Sequence, residues 1–441
     1  IFRDQSRFQV PNSSLVAPNG AADNWEMRPS HTDILGTAGS LAWSRRQTTL
    51  FAVSHSRAHQ RLTGTGSAAN LNWEDGGLRN DNRMTHLNLR HVVDAGGYRL
   101  SGGGDVMRWH TPTGQGSYEG LERHEEIKGL FGQVERSFLA NRLGIDASVR
   151  RDQVHVLRGI DYFTAGAQPP RPLPLVLDRT LAPALFFTTG ATARLAPRLS
   201  LLGRVGLNRQ GDSNLNPVPD AILQPERQTK WELGAEGRIS PYLTAIVTGF
   251  HRGVRDEKSI SGYTYTRNNG TEARCSTTTV PAAGPTAPAT SLEPCYRQSD
   301  TTRDGVEFVV QGGWLDRGSF RAGYTRMTRL VDTADVVQRT TPRHVMDLML
   351  TQGWQLFSAT ASIKRVSLFE GRRPGGGTDT AYYPLGDYTR VDASLSRSVP
   401  VAGSVYRASI YGRNLGDVRF QNVAGYPDVG RVLGAELTVT F

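Results

Sequence analysis

The stretch Arg431-Val432-Leu433-Gly434-Ala435-Glu436-Leu437-Thr438-Val439-Thr440-Phe441 sorts by period two into an apolar row and a polar or small row. Leu433, Ala435, Leu437, Val439 and Phe441 share one side, and Gly434, Glu436, Thr438 and Thr440 the other. Strand side chains alternate between faces, so this reads as a strand that is apolar on one side and ends on an aromatic ring. The same test passes upstream. Tyr388–Arg397 sets Val391, Ala393 and Leu395 against Arg390, Asp392, Ser394 and Ser396. Gln355–Val366 sets Phe357, Ala359, Ala361 and Ile363 against Ser358, Thr360, Ser362 and Lys364. Arg142–Arg150 sets Leu143, Ile145, Ala147 and Val149 against Gly144, Asp146, Ser148 and Arg150.

Soluble sandwiches and propellers alternate too, so connection lengths have to discriminate. Short links are expected near Phe138–Arg142, Pro197–Leu199, Ser240–Tyr242, Leu315–Ser319, Gln352–Gln355 and Val399–Ser404. Long ones fall between them: Asp152–Leu181, Arg209–Arg227, Glu257–Thr302, Leu330–Pro342, Phe369–Gly386 and Gly416–Gly430. Strict short–long alternation belongs to an outer-membrane barrel with tight periplasmic turns and long outer loops. The fold class expected is therefore all-β, an antiparallel transmembrane β-barrel in the outer membrane, in contact with its lipid. Thirteen strands are expected from about Arg123 to Phe441, and five more near 2–9, 34–44, 47–58, 84–93 and 97–110, about eighteen in all. Because Phe441 follows a long loop, the last strand runs inward, and the first runs outward.

Composition agrees. Only 38% of residues are hydrophobic and 48 are glycine. No run approaches the roughly 18 consecutive apolar residues of a transmembrane helix. The net charge is +10, carried by 51 basic residues of which Lys128, Lys230, Lys258 and Lys364 are the lysines. The arginines are scattered through strands and loops, which argues against a nucleic-acid tail. The ordinary reading is salt-bridging in the lumen with nearby Asp and Glu; the sharper one is attraction of an anionic ligand. Cys275 and Cys295 sit in one polar segment and are expected to form a single disulfide, a staple for an outer loop.

Enzyme signals fail. His124-Glu125-Glu126-Ile127-Lys128 starts like a zincin helix, but Lys128 stands where a second histidine is required. The ten histidines do not cluster at metal-ligand spacing, and neither a phosphate loop nor a nucleophile elbow occurs in a strand-to-helix context. No catalytic residue, metal or cofactor is expected. The opening Ile1-Phe2-Arg3-Asp4 reads like the middle of a strand, so the chain is expected to be part of a longer protein.

A series of landmarks carries a family resemblance. Gly129-Leu130-Phe131-Gly132-Gln133-Val134-Glu135, followed by Leu143–Asp152, resembles the paired barrel strands of TonB-dependent outer-membrane receptors. Asn216-Pro217, Leu223-Gln224-Pro225-Glu226 and Trp231-Glu232-Leu233-Gly234 are similar to that family's next signature, with an insertion in its first part. Gly305-Val306-Glu307, Thr341-Pro342-Arg343-His344, Asn414-Leu415-Gly416-Asp417 and Gly425-Tyr426-Pro427 to Gly430-Arg431 follow in order. The resemblance implies a 22-stranded barrel with an N-terminal plug in its lumen. Residues 1–441 would then be a partial barrel domain, lacking the plug and four earlier strands. It further implies that TonB is contacted through the missing plug, and that Phe441 is read by the barrel-assembly machinery.

The function expected is energised uptake of a bulky, scarce nutrient, a ferric siderophore in the first place, with haem and cobalamin also open. Such ligands are held by aromatic faces, arginines and hydrogen-bond donors on outer loops. The richest loops are Phe369–Tyr383, with Arg372, Arg373, Tyr382 and Tyr383, and Arg419–Tyr426, with Phe420 and Gln421. Tyr162 with Phe163, and Trp109 with His110, are secondary candidates. For each, the ordinary alternative is a girdle or loop-packing role. Two rival functions stay open: a passive or substrate-selective porin of about eighteen strands, and a surface adhesin or phage receptor.

Overall fold

The computed structural model describes residues 2–10, 24–65, 78–112, 122–160, 175–209, 225–262, 264–266, 272–274, 277–280, 289–292, 295–314, 317–332, 336–372, 382–401, 403–424 and 426–440. Strand β1 is Phe2–Val10, β2 Asn24–Ser44, β3 Gln47–Thr65, β4 Leu78–Ala95 and β5 Tyr98–Thr111. Next come β6 Arg123–Phe138, β7 Leu143–Ile160, β8 Leu175–Thr180, β9 Ala184–Ala196, β10 Leu199–Arg209, β11 Arg227–Ser240 and β12 Leu243–Gly262. Two small hairpins follow, β13 Thr264–Thr266 with β14 Glu272–Arg274, and β15 Thr277–Val280 with β16 Ala289–Leu292. Then come β17 Cys295–Trp314, β18 Gly318–Asp332, helix α1 Val336–Thr340, β19 His344–Gly353 and β20 Phe357–Val366. The chain continues through β21 Phe369–Arg372, β22 Tyr382–Leu385, β23 Tyr388–Val401, β24 Ser404–Arg413, β25 Gln421–Val423, β26 Tyr426–Pro427 and β27 Val432–Thr440.

One antiparallel sheet holds 19 of these segments, each paired with its neighbours along the chain. Because β9 and then β8 pair with the same strand β7, the segments occupy eighteen positions, the number expected. Every short link falls at one end and every long one at the other. The order of the barrel is thus the order of the sequence. Strand β1 pairs with β2 and β27 with β24; among the described residues no ladder joins β1 to β27.

The strands run farther outward than their alternation does. Strand β2 has 21 residues and β12 has 20, about twice the 9–11 that cross a bilayer. Above the membrane both faces are wetted, so no apolar row marks the strand. For that reason Asp152–Leu181 and Glu257–Thr302, expected as loops, contain the outer ends of β7, β12 and β17.

The outward face is defined by exposed apolar side chains at period two, such as Leu433 and Leu437 on β27 and Leu233 and Ile239 on β11. Toward the short-turn end this band is rimmed by exposed aromatics: Trp43, Tyr98, Tyr242, Trp354, Phe357 and Tyr406. Rings with a polar edge favour that interface. Phe441, the aromatic end of the last strand, lies outside the described residues.

The inward face is polar and internally paired. Arg150 on β7 reaches across β6 to grip Asp105 on β5 with two hydrogen bonds, 2.8 and 3.1 Å, and also holds Asp152 at 2.8 Å. Gly129 lies between the two aspartates in register, and a Cβ there would stand 2.4 Å from the guanidinium. Absence of a side chain at Gly129 is therefore what lets the ion triad span three strands.

Candidate functional site

Three long connections lie over adjacent strands at the outer end of the C-terminal part of the sheet. They contain α1, the β21–β22 hairpin and residues 414–431. Their foundation is Asn414, 1% exposed, whose φ of +50° bends the chain out of β24. Its side-chain amide donates to the Val418 carbonyl at 2.9 Å and accepts from the Val418 N–H at 3.0 Å. The Asn414 backbone N–H donates to Asp392 at 2.8 Å, and Arg390 holds that carboxylate at 2.8 Å. At the return, Asp417 accepts from the Arg431 N–H at 2.9 Å. Asparagine and aspartate supply turn hydrogen bonds from their own side chains, an Asx-type role. Asn414→Ala leaves both Val418 backbone groups unpaired, at a cost of about 1–3 kcal/mol. Limited proteolysis should cleave residues 414–431 at least about tenfold faster in that variant; unchanged cleavage would remove the turn from this role.

The turn delivers Phe420 into a small core with Val366 and Tyr388, all about 5% exposed, against Phe369 and Val418. The Phe420 and Tyr388 rings stack at 3.9 Å and 19°, and the Tyr388 hydroxyl donates to Asn422 at 3.2 Å. The two loops singled out in the sequence are thus brought together. Gly386, at φ +75°, closes the hairpin where a Cβ would strike the Ser367 carbonyl at 2.3 Å. From this base the hairpin carries Tyr382 and Tyr383, both half-buried. Arg339 of α1 lies 4.9 Å over the Tyr382 ring and pairs with Glu370 at 3.2 Å. Gln421 begins β25 beside this core.

Phe420 therefore acts through packing, its face taken by Tyr388. Arg372 has its backbone in β21, but its side chain, like all of Arg373, Tyr162, Phe163 and Cys275, lies outside the described residues. So does the side chain of Cys295. Trp109 and His110 are successive residues of β5 and face opposite ways, so they form no common site. Trp109 faces inward, donating to Asn82 at 3.2 Å with Arg123 4.7 Å over its ring. His110 faces outward and contacts Glu122 at 2.8 Å, with Arg158 on the other carboxylate oxygen at 3.1 Å. The bond to His110 leads in holding the Glu122 carboxyl below its ordinary value, and Arg158 adds to it. Among the described residues no group of three or more His, Cys, Asp or Glu side chains is placed to hold a metal.

An eighteen-position antiparallel wall with sorted loops and ordered landmarks invites comparison with known proteins. The profile of the family described as "TonB dependent receptor-like, beta-barrel" matches residues 3–415. The chain belongs to that family. As a TonB-dependent receptor-like β-barrel it is an outer-membrane protein of a class of transport receptors. Its fold is similar to that of the ferric-catecholate import receptor Fiu of E. coli K12, with TM-score 0.61 and 14% identity over 96% of this chain and 64% of that one. It is similar to the copper transporter OprC, with TM-score 0.63 and 12% identity over 95% and 70% of the two chains. BauA, the ferric preacinetobactin receptor of Acinetobacter baumannii, gives 0.60 and 11% over 98% and 65%. A search of the curated proteins found no match. At such identities the likeness is one of fold, and the chain spans less than two thirds of Fiu and BauA.

Within this TonB-dependent receptor-like barrel, sequence reasoning missed Tyr388, Arg339 and Glu370. Tyr388 occupies a strand end, where period two does not distinguish a packing ring from a girdle ring. Arg339 and Glu370 are joined by tertiary structure alone, and the short helix holding Arg339 lies within Leu330–Pro342, whose sequence carries only loop signals.

Proposed function

We propose that the chain is the barrel wall and outer vestibule of an energised receptor that takes up a bulky metal chelate, in the first place a ferric siderophore. The observation that carries the reading is the convergence of the two arginine- and aromatic-rich loops. Phe369 and Phe420 share one core, and beside it stand Tyr382, Tyr383 and Gln421, with Arg339 over the Tyr382 ring. Flat delocalised cations and aromatic rings suit planar, anionic, catechol- or carboxylate-rich ligands. The likeness to receptors for ferric catecholate and ferric preacinetobactin supports the same substrate class. Catalysis is not part of the proposal.

The likeness in fold to receptors of which this chain spans 64–65% supports this reading over an eighteen-strand porin, and among the described residues no ladder joins β1 to β27. We propose that further strands of the full protein close the wall between them, that a plug fills the lumen, and that TonB acts on the plug. Recognition of Phe441 by the assembly machinery and a Cys275–Cys295 disulfide in an outer loop belong to the same proposal.

Growth of an iron-starved strain expressing the full protein, offered ferric siderophores, haem and cobalamin in turn, tests the substrate class. A ferric siderophore should rescue growth. Tyr382→Ala with Tyr383→Ala should weaken binding of that chelate about tenfold, since each ring contact contributes about 0.5–1.5 kcal/mol. Rescue by cobalamin alone, or undiminished binding by the double variant, would contradict the assignment.

A further inference from the structure

Arg209 on β10, Arg227 on β11 and Arg255 on β12 are direct register partners across three adjacent strands. They share the outward side with Leu207, Trp231, Leu233 and Val247, all exposed apolar residues. Like charges directly opposite on one face repel, and the sequence places three in a row. All three side chains are exposed, and among the described residues none pairs with a carboxylate. Two nearby acids are engaged with other side chains, Asp304 with His251 at 2.5 Å and Glu226 with Gln228 at 2.6 Å, while Asp300 accepts from the Asp256 N–H at 3.1 Å beside the row.

Their height on the wall is defined by the apolar band. On β11 the outward row runs from Ile239, near the short turn, to Trp231, which stacks on His251 at 5.5 Å. A strand crosses the bilayer in about 9–11 residues, so the hydrocarbon ends near Trp231 and Arg227 stands at the level of the lipid headgroups. There the surface is concave. Arg227, Arg255, Thr229, Thr302, His251 and one carboxylate, Asp300, line a pocket of about 480 Å³. Its floor is Gly253, which lies between Thr229 and Thr302 in register, where a Cβ would stand 3.2 Å from the His251 ring.

We propose that this outward pocket binds the phosphate headgroup of an anionic outer-leaflet lipid. Guanidinium groups grip phosphate with paired hydrogen bonds, and a bound phosphate relieves the repulsion within the row. Basic pockets at headgroup depth are built for such lipids. The site lies on the lipid side of the wall, apart from the proposed chelate vestibule, and does not depend on which nutrient is carried.

The test uses the full-length protein in detergent with bisphosphorylated lipid A as probe, read by native mass spectrometry. Wild type should retain the lipid. Arg227→Gln with Arg255→Gln should lower retention at least about tenfold, as expected for lost charge-assisted hydrogen bonds. Arg252→Gln removes one charge from the inward face of the same strand and should leave retention unchanged. Inorganic phosphate should fail to displace the lipid. Equal retention by the double variant, an equal loss in Arg252→Gln, or displacement by inorganic phosphate would overturn the assignment, the last by marking a soluble-anion site. If the double variant does not fold, Arg255→Gln alone is read, with a loss of about threefold expected and unchanged retention contradictory.

Discussion

Ile410→Arg is expected to destabilise the barrel by about 2–4 kcal/mol, the cost of an arginine on the lipid face near the bilayer midplane. Ile410 is 60% exposed, and its register partners are Leu395 on β23 and Ala435 on β27. Along β27 the positions flanking Ala435 on this side are Leu433 and Leu437, 71% and 68% exposed. A guanidinium at 410 thus has apolar neighbours on both flanking strands. Snorkelling toward an interface recovers part of the cost, and the middle of the band is where that route is longest. The matched change on the other face is Thr438→Arg, one row inward on the neighbouring strand, where the side chain meets the hydrated lumen. It should cost no more than about 1 kcal/mol. Urea unfolding of the full-length protein in lipid vesicles measures both. Equal destabilisation, or a larger loss at 438, would mean that the two faces have been assigned the wrong way round.

The same alternation explains what was legible in the sequence. Wherever one face of a strand meets lipid and the other a wet lumen, side-chain chemistry must change at every residue, and Arg142–Arg150 or Val432–Thr440 can be read by eye. Above the membrane that contrast is gone, so the outer halves of β7, β12 and β17 look like loop. The site divides along the same line. The turn at Asn414 and Asp417 was legible because side-chain hydrogen bonds to nearby backbone are local. The stacking of Phe420 on Tyr388 and the seat of Arg339 over Tyr382 depend on loops distant in sequence meeting in space. Trp109 and His110 show the converse: adjacency in sequence suggested one site, and strand geometry puts them on opposite faces.

The largest effect is expected on transport itself. A bulky chelate does not leak through a plugged barrel, and the outer membrane has no energy source of its own, so uptake through an energised receptor needs the inner membrane's proton-motive force. The binding proposed for the loop cluster built on Tyr388 and Phe420 needs none. The direct measurement is accumulation of the radiolabelled rescuing chelate in cells expressing the full-length protein, before and after a protonophore, with surface binding recorded in parallel. Uptake should fall to the level of cells lacking the receptor while surface binding persists. Uptake that continues at its original rate after the proton-motive force is dissipated would contradict energised transport and return the barrel to the class of passive pores.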